Sequence, residues 1–300
     1  MPLPVADALR RALPRLPGSS LPAPVRRAAL RGLCAAGIPR KVSTFRLVDN
    51  PDLQFVAVDS QVLAQLYWCG EEGWEPELLP WWRRFCRASE SVLELGANVG
   101  YFSVQGGRAA PGTRHVAVEP HPFSARTCRD NLALNGVTSV EVLEAAAVAD
   151  PGVSSLSLLV PAGQQATPTV AFLPAGTELP PDMTRDVVAA IDVPAVDVRR
   201  LLDGVDLIKL DVEGQEHALL EACRDHLSDV RPALFVEVLP GTARLRALLS
   251  DLCRQDGYRC YAMTRDRLVE LTPDRLATVP LREAFGCQDV VLTARPVPPP

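Results

Sequence analysis

From about residue 90 the chain alternates between two hydrophobic periods. Ser91–Leu95 (SVLEL) is a short apolar run of the kind that forms a buried strand. Val99–Ala110 has helical character, weakened at its end by Gly106-Gly107, and His115–Val118 is strand-like again. Pro122–Asn135 has helix periodicity, opened by a proline and stopped by Asn135-Gly136. Val140–Leu143 reads as a third strand. Then come a strand at Asp206–Leu210, a helix over Gln215–Leu227, a strand at Ala233–Val238 and a helix over Ala243–Gln255. Two strand-like runs follow, Tyr258–Met263 and Asp289–Thr293. Strands alternating with helices predict parallel βαβ units covered on both faces. The last two strands are expected to form a hairpin-like antiparallel edge. Residues 151–200 break the rhythm, with Ser/Leu alternation over Val153–Val160, a Gly/Pro-rich stretch, then Val193–Val198. They read as a β segment inserted at the sheet margin.

Composition narrows the function classes. The chain has 300 residues, 47% hydrophobic and 22% charged, with a formal net charge of −5. This excludes a disordered or collagen-like chain. No run of 18 apolar residues predicts a membrane-spanning helix, and no basic stretch in the body of the chain points to nucleic acid. Among the 31 cationic residues only Lys41 and Lys209 are lysines, which makes Lys209 unusual. The 8 cysteines form no CxxC or Cys/His ligand pattern, so a zinc site is not expected. Reduced thiols and a cytoplasmic location are the expectation. Residues 1–40 carry seven arginines and one acid, Asp7. They read either as a transit peptide or acidic-partner contact, or as a short helical arm whose prolines cut it short.

The chemistry concentrates in Glu94-Leu95-Gly96-Ala97-Asn98-Val99-Gly100, between a predicted strand and a predicted helix. Gly96 allows a sharp turn off the strand, and Gly100 allows close backbone approach to a ligand. Glu119 ends the next strand, where an acid can accept hydrogen bonds from both ribose hydroxyls. A dinucleotide fingerprint needs G-x-G-x-x-G to cradle a pyrophosphate. Here the spacing is G-x-x-x-G, with Asn98 in the middle and Phe102 where the third glycine would fall. A carboxylate at Glu94 would repel a pyrophosphate and suit an ammonium group. The charge pattern therefore favours S-adenosylmethionine (SAM), a cationic, phosphate-free nucleoside, over NAD.

These residues resemble the FkbM-type family of SAM-dependent methyltransferases. Glu94–Ser103 (ELGANVGYFS) is similar to its first cofactor loop, and Asn131–Gly136 (NLALNG) to its N-x-x-L-N-G helix end. Ala147–Asp150 (AVAD) resembles the segment after its third strand, and Gly73–Pro76 (GWEP) a short upstream motif. Lys209–Glu216 (KLDVEGQE) resembles its K-x-D-V-E-G-x-E signature, the most specific of the five. The match spans roughly residues 70–240. It implies an α/β class I methyltransferase fold: a doubly wound, mostly parallel seven-stranded sheet with an antiparallel edge. An N-terminal helical arm (1–60) would precede a domain over 61–296, with a cofactor core at 90–240 and the β insert at about 151–200. It also implies methyl transfer to a hydroxyl of a sugar or secondary metabolite.

By resemblance and position, Gly96, Ala97, Asn98 and Gly100 would wrap the methionine part of SAM, and Glu94 would hold its ammonium. Glu119, with Pro120, would hold the ribose. Glu144–Ala147 would border the adenine, Glu144 and Ala147 included, although a tight strand exit explains the small residues equally well. Asp211, Glu237 and Glu213 are the candidate catalytic carboxylates, with His121 and His217 behind them; a carboxylate accepting the hydroxyl proton contributes roughly 10²–10⁴-fold. Against this stands a structural ion-pair knot of Lys209, Asp211, Glu213 and Glu216. Asp211, Glu213 and Glu237 could also converge on a divalent cation such as Mg²⁺, but no ligand spacing demands it and no metal site is expected. Trp68, Trp74, Trp81 and Trp82 read as an aromatic wall over a substrate or as core. Two other readings stay open: a nicotinamide-dependent oxidoreductase, and a non-catalytic cofactor-binding member of the fold. The acceptor would be a small molecule or a glycan; the oligomeric state is not legible.

Overall fold

The computed structural model describes residues 32, 34, 37–161 and 187–299. The arginine-rich part of residues 1–40 lies almost wholly outside them.

The main sheet has eight strands in the order β12 (Leu268–Leu271), β11 (Arg259–Met263), β13 (Asp289–Thr293), β10 (Ala233–Glu237), β9 (Leu207–Leu210), β3 (Ser91–Leu95), β4 (Arg114–Val118) and β5 (Val140–Leu143). Its parallel centre is β3, β4, β5, β9 and β10. The chain winds outward from β3 through β4 to β5, then returns to β9 on the other side of β3. β11, β12 and β13 complete the sheet. The expected antiparallel pairing of the last two predicted strands holds for β11 and β13, but they are not a hairpin at the edge. β13 inserts antiparallel between β10 and β11, so β11 runs parallel to the centre. The hairpin is β11 with β12, an eighth strand beyond the expected seven.

The alternation of strand residues divides the core. Leu93, Leu95, Ile208, Leu210, Leu234 and Val236 enter one apolar layer. It is closed by α5 (Glu216–Ala222), α6 (Arg224–Asp229) and α7 (Ala243–Gln255). α5 and α6 divide at Cys223 what periodicity predicts as one helix over Gln215–Leu227. Val92, Ala117, Leu207, Phe235 and Val291 face the opposite layer. That layer is closed by α1 (Gln61–Cys69), α2 (Leu79–Arg87), α3 (Tyr101–Ala109) and α4 (Pro122–Leu134). Trp68, Trp81 and Trp82 are buried in this second layer, which settles the core reading for three of the four tryptophans.

The region around 151–200 is not a margin of the main sheet. β6 (Ala146–Val148), β8 (Val187–Asp197) and β7 (Ser155–Pro161) form a separate three-stranded sheet in the order β6-β8-β7. Within the arm read over 1–60, residues 44–56 are not helical. They hold an antiparallel pair, β1 (Thr44–Arg46) and β2 (Gln54–Val56). The NLALNG motif clamps it: Asn135 exchanges two hydrogen bonds with the Gln54 backbone (3.0 and 2.6 Å). Asn131 accepts from the Val56 amide and donates to the Val99 carbonyl, both at 2.8 Å. Asn131→Ala strands both backbone groups, and is expected to lower unfolding free energy by about 2–3 kcal/mol in urea denaturation.

Candidate functional site

A cavity of about 490 Å³ opens at the carboxyl ends of β3, β4, β9 and β10. This is where the strand order reverses, the usual ligand crevice of doubly wound sheets. Its floor is the turn after β3. Gly96 has φ +85°, and a Cβ there would lie 1.7 Å from the Asp211 carbonyl oxygen. The turn thus presses against the tip of β9. The Gly96 and Ala97 amides both donate to the Val118 carbonyl (2.9 and 3.1 Å), fastening the turn to β4. Asn98 is left-handed at φ +49°, and its side chain caps the Val99 amide at 2.8 Å. Gly100, at φ +76°, starts α3 against Cys128, whose Sγ would stand 2.5 Å from an added Cβ.

Glu119 lines the cavity just past β4 and is buried. Its two oxygens accept from the Asn98 and His121 amides, both at 2.8 Å. Those bonds leave lone pairs for further donors. Burial raises its carboxyl to about 7, against the pull of these two amides. Pro120, Ala146 and Ala147 line the cavity beside it.

The other wall is acidic. Strand alternation places Glu94, Lys209, Glu237 and Asp289 on the sheet face that carries Phe235, and Asp211 continues that row past β9. Lys209 is buried, stacks 4.9 Å from the Phe102 ring centre and donates to Asp211 Oδ2 at 2.8 Å. Burial alone would depress the Lys209 ammonium, but Asp211, Glu75, Asp289 and Glu94 outweigh it and hold it charged. Glu213, at φ +52°, turns into the cavity between Asp211 and Gln215. One carboxylate oxygen each of Asp211, Glu213 and Glu237 all lie within 4.8 Å of one another. Burial, with the mutual repulsion of this cluster, pushes the carboxyls of Glu213 and Glu237 well above the ordinary range. Glu237 accepts from the Gln288 side-chain amide through Oε1, while its Oε2 is buried with no partner among the described residues. Glu216 does not face the cavity. It accepts the Val212 and Gly214 amides (3.0 and 3.3 Å) and so folds the loop.

The family model for the methyltransferase FkbM domain matches residues 94–260. The chain belongs to the FkbM methyltransferase family. A curated relative, Methyltransferase sdnD of Sordaria araneosa, is 28% identical over 220 residues, covering 64% of this chain and 80% of that protein. Methyltransferase FkbM from Methylobacillus flagellatus KT, a solved structure, is 16% identical with a TM-score of 0.41; the match covers 90% of this chain and 60% of that one. The O-methyltransferase TomG from Streptomyces achromogenes, solved in complex with SAM, is 14% identical with a TM-score of 0.37, over 74% of this chain and 79% of that one.

The FkbM signature KLDVEGQE resolves into parts: Lys209 pairs with Asp211, Glu213 enters the cavity and Glu216 pins the turn. The ion-pair knot holds for Lys209 and Asp211 alone among those four side chains. The structure gathers Gly96, Ala97, Asn98, Glu119, Pro120, Ala147, Asp211, Glu213 and Glu237 around one cavity. Of the expected cofactor residues, Glu94, Glu144 and Gly100 fall outside its lining. Glu94 sits one residue short of the tip of β3 and points under α3, where Oε2 meets Ser103 Oγ (2.8 Å) and His115 Nε2 (3.0 Å). Glu144 turns to the surface and pairs with Arg129 at 2.9 Å. Gly100 shapes the turn without lining the cavity, and His121 and His217 also lie outside the lining. Sequence reasoning gave no site role to Glu75, Leu158, Gln288 or Arg282, all of which line it. Trp74, the fourth tryptophan, lines it too. Glu75 stands at φ +41° in the GWEP motif, the one signal that could have marked it.

Proposed function

We propose that this protein is a SAM-dependent methyltransferase acting on a hydroxyl of a small sugar-like or secondary-metabolite acceptor. The observation that carries the reading is Glu119. Its buried carboxylate is fixed by two backbone amides beside the Gly96–Asn98 turn, with acceptor capacity left for a ribose diol. The donor set fits SAM: an acid for the ribose, small Ala146 and Ala147 beside it, and carboxylates suited to a cation. A diphosphate would meet Asp211, Glu213 and Glu237 in the same cavity, which disfavours the nicotinamide reading. The acceptor and the choice of oxygen rest on family likeness. Eight free thiols fit a reducing, cytoplasmic setting; among the described residues no helix is long and apolar enough to cross a membrane.

When bound, SAM supplies a methyl carbon activated by a sulfonium. The residues around it do the rest. Gly96–Asn98 and Glu119 hold the nucleoside at the tips of β3 and β4. The carboxylates at the tips of β9 and β10 orient the acceptor hydroxyl and take its proton. Alignment of the acceptor oxygen at about 3 Å is the larger contribution.

Isothermal titration tests this. Wild-type protein is expected to bind SAM saturably, and Glu119→Ala to lose about 3 kcal/mol, roughly 100-fold in Kd, while remaining folded. Absence of SAM binding by the wild type refutes the reading. Affinity has an expected pH dependence as well. The ionised carboxylate accepts hydroxyl hydrogen bonds, and protonation removes part of that capacity. Kd for SAM should therefore rise as pH falls through about 7, the value to which burial lifts Glu119, and the slope should flatten in Glu119→Gln.

A further inference from the structure

We propose that Asp211, Glu213 and Glu237 form a site for one oxygen-liganded divalent cation, Mg²⁺, Mn²⁺ or Ca²⁺, at the acceptor end of the cavity. Cation binding stands on these residues alone; its role in catalysis rests on the hydroxyl-methylation reading above.

Two observations carry it. The first is convergence: three carboxylates from two strand tips and one loop bring an oxygen each within 4.8 Å of one another. Opposite ligands lie about 4.2 Å apart around Mg²⁺ and about 4.6–5.2 Å apart around Ca²⁺. At most one pair of three ligands can be opposite, so the three oxygens draw together around any of these ions, least around Ca²⁺ and most around Mg²⁺. The second is Glu237 Oε2: the residue lines the cavity and is only 8% exposed, and this oxygen has no hydrogen-bond partner among the described residues. A buried carboxylate oxygen left unpaired is costly, and a cation satisfies it.

The cations already present do not fill that need. Lys209 is engaged with Asp211 Oδ2 and faces Glu75 and Asp289 as well. Arg282 lines the cavity from the exposed α8 (Leu281–Phe285), and the structure gives it no ion pair with the three. All three donors are hard oxygens, with no nitrogen or sulfur, which selects against zinc and copper. Three ligands from one wall leave coordination positions open toward the cavity, where an acceptor hydroxyl or diol can enter. An acceptor oxygen held there is acidified by the ion. Its proton passes to a carboxylate oxygen of the cluster not bound to the metal, and the oxygen lone pair is left aligned for attack on the methyl carbon.

Manganese is the probe, because its aqueous EPR signal is lost on binding. Protein stripped with EDTA and dialysed is expected to bind one Mn²⁺ per chain saturably, with displacement by excess Mg²⁺ or Ca²⁺. Glu237→Gln and Glu213→Gln should each weaken Mn²⁺ by roughly tenfold or more. Circular dichroism checks their folding, and in EDTA Glu237→Gln should melt no lower than the wild type, since a neutral amide suits a buried position crowded by acids. No saturable loss of signal with the wild type, or an unchanged Mn²⁺ Kd in both folded variants, overturns the site. Titrating SAM in EDTA separates the two readings. SAM binding without Mn²⁺ binding overturns the cation site and leaves the methyltransferase reading intact. Mn²⁺ binding without SAM binding does the reverse.

Discussion

Gly96→Ala is expected to destabilise the protein by about 3–5 kcal/mol and to abolish measurable SAM binding. Two penalties combine. The position has φ +85°, and the new methyl would stand 1.7 Å from the Asp211 carbonyl oxygen, a backbone atom that no rotamer change can remove. Relief requires β3 and β9 to separate at their tips. That movement would displace Asp211, whose amide donates to the Leu95 carbonyl at 3.1 Å, and with it the loop carrying Glu213. Urea denaturation reads the first effect and isothermal titration the second. An alanine variant with wild-type stability would mean that the turn does not press on β9.

Lys209→Met should have the second largest effect, and one that depends on pH. The methionine preserves most of the buried volume and removes the ammonium that Asp211, Glu75, Asp289 and Glu94 hold charged. Uncompensated buried charge costs about 3–5 kcal/mol when a partner is removed. The sign follows from the carboxyls left behind. Burial already raises Asp289 to about 6 with Lys209 present to oppose it, and holds Glu75 well above the usual range. Without the ammonium these groups titrate higher still. An acid whose folded pKa is raised contributes stability at low pH and loses it as pH rises through that value. The deficit of Lys209→Met against the wild type should therefore be full near pH 8 and shrink toward pH 5. Paired urea titrations at the two values check this; a deficit independent of pH would assign Lys209 a packing role alone.

Period and punctuation made much of the fold legible. Asn135-Gly136 stops α4 and Asp289–Thr293 is a strand, as their patterns predict, because both are strong local signals. β12 and β6 escaped notice for the same reason in reverse. Leu268–Leu271 is a half-exposed edge strand without clear alternation, and Ala146–Val148 has three residues, two of them alanine. Their pairing is tertiary.

The site divides along similar lines. Gly96, Asn98 and Glu119 could be read because turn, strand end and spacing lie within one βαβ unit. Glu94 was misplaced although the information was present. In a strand of period two it shares a face with Val92, away from Leu93 and Leu95, and one residue short of the tip that face is covered by α3, where Glu94 meets Ser103. Glu75 is not legible because only the folded chain brings the GWEP segment to the cavity, where its charge acts on Lys209. The crowding of Asp211, Glu213 and Glu237 depends on the left-handed backbone at Glu213, which spacing alone does not reveal.

The most direct measurement is a crystal structure with S-adenosylhomocysteine bound. The ribose hydroxyls should lie within hydrogen-bond distance of the Glu119 carboxylate, the Gly96–Asn98 turn should wrap the amino-acid end, and the sulfur should face the side where Asp211 and Glu237 stand. A nucleoside bound elsewhere, or a ribose that leaves Glu119 untouched, would contradict the account.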